Sequence, residues 1–149
     1  MTRFLCILFL ASLLWSGCRK DTFALIESKL HGTWQFSDAH RRTFDLFAPN
    51  QSLMGDYRDH QITFLNTKEI LYREENGKEW TGIWDLRTVT TTNNDGDSGT
   101  DYIIPISLVD SAGTLRQYTW EVRNPDVGNC LRVEEQTVDY IYCFELQRQ

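Results

Sequence analysis

Few residues in this 149-residue chain have the types and spacing that could do chemistry. Asp95, Asp97 and Asp101, with Gly96 and Gly99 among them, set oxygen ligands at the alternating spacing of a calcium loop. The EF-hand spacing and its closing Glu are missing, so the cluster reads as a solvated turn. His31, His40 and His60 lie beside no Cys or Glu at ligand spacing, which makes each a structural or surface histidine and predicts no metal. No Ser-His-Asp or Cys-His pattern stands out, although such sites are assembled in space rather than along the chain. The expectation is a protein that is not an enzyme and needs no cofactor.

One of the four cysteines has a telling context. Met1 to Gly17 carries a single Arg, an apolar run from Phe4 to Trp15, and then Ser16-Gly17-Cys18, the anatomy of a secretory signal. The run is too short, and too closely followed by Arg19, Lys20 and Asp21, for a comfortable membrane span. Small residues before Cys18, after Leu13 and Leu14, resemble the lipobox of bacterial lipoproteins, with Trp15 where that motif usually has Leu. The resemblance implies that residues 1–17 are a signal peptide and that Cys18 is acylated with palmitate-like chains. Residues 18–20 would then be a tether and 21–149 the folded domain. An ordinary cleaved signal with Cys18 free, or an uncleaved anchor, are the alternatives. Arg19 in place of Asp resembles outer-membrane sorting in Gram-negative bacteria, so the expected location is the bacterial cell envelope, lipid-anchored at the outer membrane.

Cleavage would leave 132 residues, enough for one domain with a core, and would take the net charge from −6 to −7. An acidic chain without a basic block argues against nucleic acid and against electrostatic adsorption to membranes. Membrane contact is expected through the lipid alone, since several acyl chains anchor stably where one does not.

The elements that would position any site are mostly strands. Phe23, Ile26 and Leu30 form an apolar stripe at helical spacing over Asp21 to His31, and Gly32 stops it. Beyond it come eight runs rich in β-branched and aromatic residues: 33–39, 61–65, 69–74, 79–89, 102–109, 114–123, 130–134 and 138–146. Asn76-Gly77, Asp110 to Gly113, and Asn124 to Asn129 are the turn signals between them. This pattern predicts an all-β antiparallel barrel or sandwich with one short N-terminal helix. Trp80 and Trp84 share a face with Gly82 and Leu86; Tyr118, Trp120 and Val122 share another; Val138, Tyr140, Tyr142 and Phe144 a third. Pro105, which cannot donate to a ladder, predicts a bulge or an edge inside 102–109.

Gly32-Thr33-Trp34 heading eight such runs resembles the Gly-x-Trp signature of lipocalins. More closely, it is similar to the lipocalin-like domains of small bacterial lipoproteins, with Ile62-Thr63-Phe64, a second Gly82-Ile83-Trp84, and a last strand ending Phe144-Glu145-Leu146-Gln147-Arg148. The resemblance implies an eight-stranded up-and-down calyx with room for one small ligand. It also implies that Trp34 sits at the closed floor beside Gly32, covered by Arg148. A small apolar or amphipathic ligand would then meet Trp80, Trp84, Tyr118, Trp120, Tyr140 and Tyr142 in the lumen and mouth. The alternative is a protein-binding envelope lipoprotein, an inhibitor or assembly subunit, whose barrel is filled by its own aromatics.

Three details follow from that topology. Residues 40–60, with six large apolar side chains, are either a lid across the mouth or packed core. Arg116, on the inward face at the mouth, either holds an anionic ligand head above the aromatics or pairs with a loop acid such as Asp110. Finally, with Cys6 in the signal and Cys18 under lipid, two cysteines remain in an oxidising compartment. A hairpin turning at Gln136-Thr137 would place Cys130 opposite Cys143 on the outer face, predicting a disulfide.

Overall fold

The computed structural model describes residues 22–149 except 46, 93, 94, 97 and 125. The signal segment 1–17, the tether 18–20 and Cys18 lie outside the described residues, as do Leu46, Pro125 and Asp97 of the acidic turn. No helix among the described residues is long and apolar enough to cross a membrane.

Helix α1 (Thr22–Leu30) turns its stripe inward, with Ile26 and Leu30 buried one turn apart. Strands β1 (Gly32–Arg42), β2 (Gln51–Ser52), β3 (Gln61–Phe64), β4 (Glu69–Arg73) and β5 (Glu79–Trp84) follow. Then come β6 (Arg87–Thr92), β7 (Ser98–Asp110), β8 (Leu115–Val122), β9 (Cys130–Gln136) and β10 (Ile141–Arg148). A one-turn helix, α2 (Met54–Tyr57), stands between β2 and β3. Eight strands close an antiparallel barrel in the order β1-β3-β4-β5-β7-β8-β9-β10, and β10 pairs back onto β1. Of the barrel and the sandwich that the alternation predicts, this is the barrel, closed and eight-stranded as the resemblance implies, and consistent with a lipocalin-like fold. Trp34 lies opposite Arg148 at one end and Arg42 opposite Ile141 at the other, so β1 runs from a floor covered by α1 to an open mouth.

The run 79–89 is not one strand. It breaks at Asp85-Leu86 into β5, which belongs to the barrel, and β6, which pairs only with the first half of β7 and extends below the floor as an exposed ribbon. Pro105 sits at this break. Its carbonyl accepts the Asp85 N–H at 3.2 Å, and the return bond of that rung is the one a proline cannot make. Just above it β5 and β7 press together: a Cβ at Gly82 would stand 1.8 Å from the Ser107 carbonyl oxygen, so the position admits only glycine.

The inward faces are aromatic and tightly filled. Trp34, Phe36, Trp80, Trp84, Trp120 and Phe144 are each at most 5 % exposed. Val138 is not among them. At 93 % exposure it lies in the turn before β10, as does Tyr140.

The disulfide expectation is overturned. The β9–β10 hairpin turns over residues 137–140, not over Gln136-Thr137, because the Thr137 N–H and hydroxyl both donate to the Tyr140 carbonyl and the Thr137 hydroxyl accepts the Tyr140 N–H. The register moves accordingly: Cys143 lies opposite Glu134, and Cys130 opposite Gln147. The two thiols share the outer face but stand four rungs apart, about 13 Å along the strands, far beyond bonding reach, and both are free. The β4–β5 hairpin also differs in detail. Arg73 pairs with Glu79 across a longer loop, shaped by the Asn76 side chain accepting the Lys78 N–H at 2.7 Å.

Candidate functional site at the barrel mouth

Segment 43–60 leaves the mouth end of β1 and returns across the opening. Strand β2 pairs with β1 over two rungs, the Leu53 N–H donates to the Ala39 carbonyl at 2.8 Å, and the Phe36 N–H donates to the His60 carbonyl at 3.3 Å. Leu53, Met54 and Tyr57 turn down onto the core, whereas Phe47 (96 % exposed) and Phe44 stay in water. Strand one ends at Arg42, so this segment is a cover over the barrel and not a longer strand.

Under the cover are two stacked spaces. The upper, an open cleft of about 390 Å³, is walled by Leu53, Asp56, His60, Glu74, Asn76 and Arg116, together with Tyr57, Tyr72 and Tyr118. The lower is a residual void of about 10 Å³ among Phe36, Ile62, Leu108, Trp120 and Phe144, and the same three tyrosines. These tyrosines, from the cover, β4 and β8, partition a polar vestibule from an apolar lumen. A phenol suits that place because its ring is apolar and its hydroxyl is not.

Arg116 and Glu74 of the vestibule are matched to each other, and Asp56 stands exposed at its edge. Glu74, with a side chain 13 % exposed, accepts from Arg116 Nη1 at 2.9 Å and from Trp80 Nε1 at 2.9 Å. Burial pushes its carboxyl up, but the bonds from Trp80 and Arg116 outweigh burial and leave it below the usual carboxylate range. The Arg116 guanidinium also lies 3.8 Å over the Trp80 ring. Asp110 does not pair with Arg116. It takes Lys78 at 2.7 Å and caps the turn N–H groups of Ala112 and Thr114, which together hold its carboxyl down at about 2. His60 Nδ1 and the Tyr72 hydroxyl share a bond of 2.7 Å, and burial lowers the His60 pKa. Burial likewise raises Tyr72 and Tyr118, and pushes Tyr57 up to about 12. At neutral pH the vestibule therefore presents hydroxyls, a neutral imidazole, a compensated ion pair and Asp56.

Of the residues singled out in the sequence, Trp80, Arg116, Tyr118 and Trp120 come together on this side, with Tyr118 and Trp120 ring centroids 6.4 Å apart. Trp84 belongs to the floor, donating to the Leu65 carbonyl at 3.1 Å and packing on Phe64 and His31. Tyr140 stands outside the site under Arg41 at 4.6 Å, and Tyr142 stacks on Phe144 without reaching the cleft. At the floor, Arg148 lies 4.4 Å over the Trp34 ring and donates to the His31 carbonyl at 2.7 Å and to the Lys29 carbonyl. Gly32 packs beneath it, where a Cβ would meet Nη1 at 2.8 Å. Sequence reasoning missed Tyr57, His60, Tyr72 and Glu74. Tyr72 was visible as the partner of Ile70 in the alternation of β4, and Tyr57 as part of an over-apolar loop.

A hollow of similar size, about 400 Å³, lies on the outer wall beside Cys143. Its arginines are already spent, Arg42 and Arg123 on Glu134 and Arg132 on Glu145. Among the described residues no group of three or more His, Cys, Asp or Glu side chains is placed to hold a metal ion. No family model, no curated protein and no solved structure matches this chain.

Proposed function

We propose that this chain is a lipid-tethered, lipocalin-like envelope protein that holds a small amphipathic molecule at the mouth of its barrel. The observation that carries the reading is the stacking of a polar vestibule on an apolar lumen with three tyrosines between them. That gradient is the one an amphiphile matches, and the vestibule falls in the size range of small-molecule sites. Glu74 compensates Arg116 and Asp56 is exposed to water, so the head group is uncharged and hydrogen-bonding, not the anion that Arg116 alone would favour. The tether rests on the lipobox resemblance around Cys18. With α1 starting four residues later, the floor would face the membrane and the mouth point away.

A second reading is favoured by the lumen itself: at about 10 Å³ it has no room for a ligand as it stands, which fits a protein-binding module working through its loops. Titrating the protein with monooctanoylglycerol, octanoate and octyltrimethylammonium, followed by tryptophan fluorescence, separates the two. The neutral amphiphile is expected to bind most tightly. Absence of binding by all three sinks the proposal and leaves the second reading. For the tether, metabolic labelling with a clickable fatty acid is expected to mark the wild type and not Cys18→Ala; label retained by the variant refutes it.

A further inference from the structure

The lumen is stoppered by a ring that belongs to no barrel strand. Tyr57 ends α2, and its ring centroid lies 5.2 Å from that of Phe36 and 5.1 Å from that of Phe144, the contacts of a core residue. The segment carrying it is lightly held. Strand β2 gives two rungs, Leu53 at the N-cap supplies no side-chain bond, and the other ties to the barrel are backbone bonds at Leu53 and His60 and side-chain bonds at Gln51, Asp59 and His60, none of them made by Tyr57. Every barrel strand, by contrast, is paired on both sides. Withdrawing Tyr57 therefore unpairs no strand of the barrel.

Behind the stopper is a donor without an acceptor. Trp120 is 3 % exposed, and its indole Nε1 is buried without a hydrogen-bond partner. An indole N–H can only donate, and leaving it unpaired away from water is costly. Trp120 lines the residual void together with Phe36, Ile62, Leu108, Phe144 and the three tyrosines, none of which accepts from it, and the void is at the lower limit for a single water. The other indoles for which a bond is seen, Trp34, Trp80 and Trp84, all donate to named oxygens.

We propose that Tyr57 is a displaceable stopper, and that the lumen behind it takes the apolar end of an amphiphile carrying an acceptor oxygen, ketone, ester or ether, for Trp120 Nε1. The entering group is a ring or short chain of about the bulk of the phenol it replaces, so the core stays filled in both states. This inference rests on the mouth-binding function proposed above and adds the requirement for an oxygen inside the tail.

The test titrates the full chain with octanamide and with oxo-octanamides whose ketone is walked from carbon to carbon. One member, or two adjacent ones, should bind about three- to tenfold tighter than octanamide, the worth of one hydrogen bond. That preference should vanish in Trp120→Phe, which keeps an aromatic ring and removes the donor. Tyr57→Ala should bind the whole series about fivefold tighter because the stopper no longer competes, and Tyr57→Phe should not. A flat series, or a preference that survives Trp120→Phe, overturns the role of Trp120, as a bound internal water alone would. Unchanged affinity in Tyr57→Ala overturns the stopper even while binding at the mouth persists, whereas no binding by any member removes the parent function as well. Should Tyr57→Ala not fold, the wild-type Trp120 indole proton resonance decides: it must move downfield with the best member, and an unmoved resonance overturns the inference.

Discussion

The two ends of this barrel are each covered by a segment from outside the eight strands, and the covers differ in where their polar groups go. At the floor, α1 leaves carbonyls at its C-terminal end that no intrahelical N–H can reach. Trp34 Nε1 takes that of Leu30 at 2.8 Å, and Arg148 takes those of Lys29 and His31 while lying over the Trp34 ring. Lys68 joins Glu27 of the helix to Asp85 of the wall. At the mouth, segment 43–60 seats three side chains on the core but leaves Trp120 without an acceptor and His60, Tyr72 and Glu74 around an open cleft. A cover whose polar groups are bonded to the barrel is structural. The mouth cover bonds Tyr72 through His60 but leaves Thr43 Oγ1 and Trp120 Nε1 at that end unanswered, which marks it as the end where something else can answer them.

Substitutions at the two ends should separate accordingly. The largest effect is expected at the floor, where Trp34→Ala should lower the stability measured in urea by about 3–5 kcal/mol and release α1 to proteolysis. A loss below about 1 kcal/mol would mean that the floor is no keystone. Arg148→Ala should cost about 2–3 kcal/mol, since charge-assisted bonds to two carbonyls go with it. The same change at both ends gives the sharpest contrast. Trp34→Phe strands the Leu30 carbonyl, whereas Trp120→Phe removes a donor that is already stranded, so the first should cost at least about 1 kcal/mol more than the second. Equal costs would show that Trp120 Nε1 is satisfied in solution.

Acid should loosen the mouth before the floor. The folded pKa of His60 is lowered by burial, so between that value and the ordinary histidine value the unfolded chain binds more protons. The stability His60 contributes is complete above pH about 6.5 and falls as pH drops below it. Asp110 acts in a lower window: its contribution holds above the ordinary aspartate value of 3.8 and is lost only toward its folded value of about 2. Hydrogen exchange at pH 5 should therefore quicken over residues 53–60 and not in α1, and His60→Phe should abolish the difference. Uniform quickening at both ends would count against a separately mobile mouth. The smallest effect is expected on the outer wall. Alkylating the unfolded, unreduced protein should tag Cys130 and Cys143 as two thiols, and reductant should leave the melting temperature unchanged.

The sequence by itself determined an all-β antiparallel sheet with one aromatic face and a helix before it. Period-two alternation of Trp, Phe, Tyr and Ile over eight runs requires that face to be buried, in a barrel or in a sandwich, and the 3.6-residue stripe of Phe23, Ile26 and Leu30 makes the preceding segment a helix; the pairing of β10 back onto β1 decided for the barrel. Alternation is local, and so it was legible. It did not settle how the hairpins turn. The Thr137 side chain lengthened one turn by two residues, and with it moved Cys143 from Cys130 to Glu134. Register is a property of two strands and a turn together, which no single strand's pattern contains. Nor could spacing along the chain reveal the vestibule. Tyr57, Tyr72 and Tyr118 come from a cover segment and two strands that are not neighbours in the sheet, and Arg116 meets Glu74 across 42 positions of sequence. Only closure of the barrel, which brings distant inward faces within one ring's width of each other, decided which of the aromatics became wall, stopper or site.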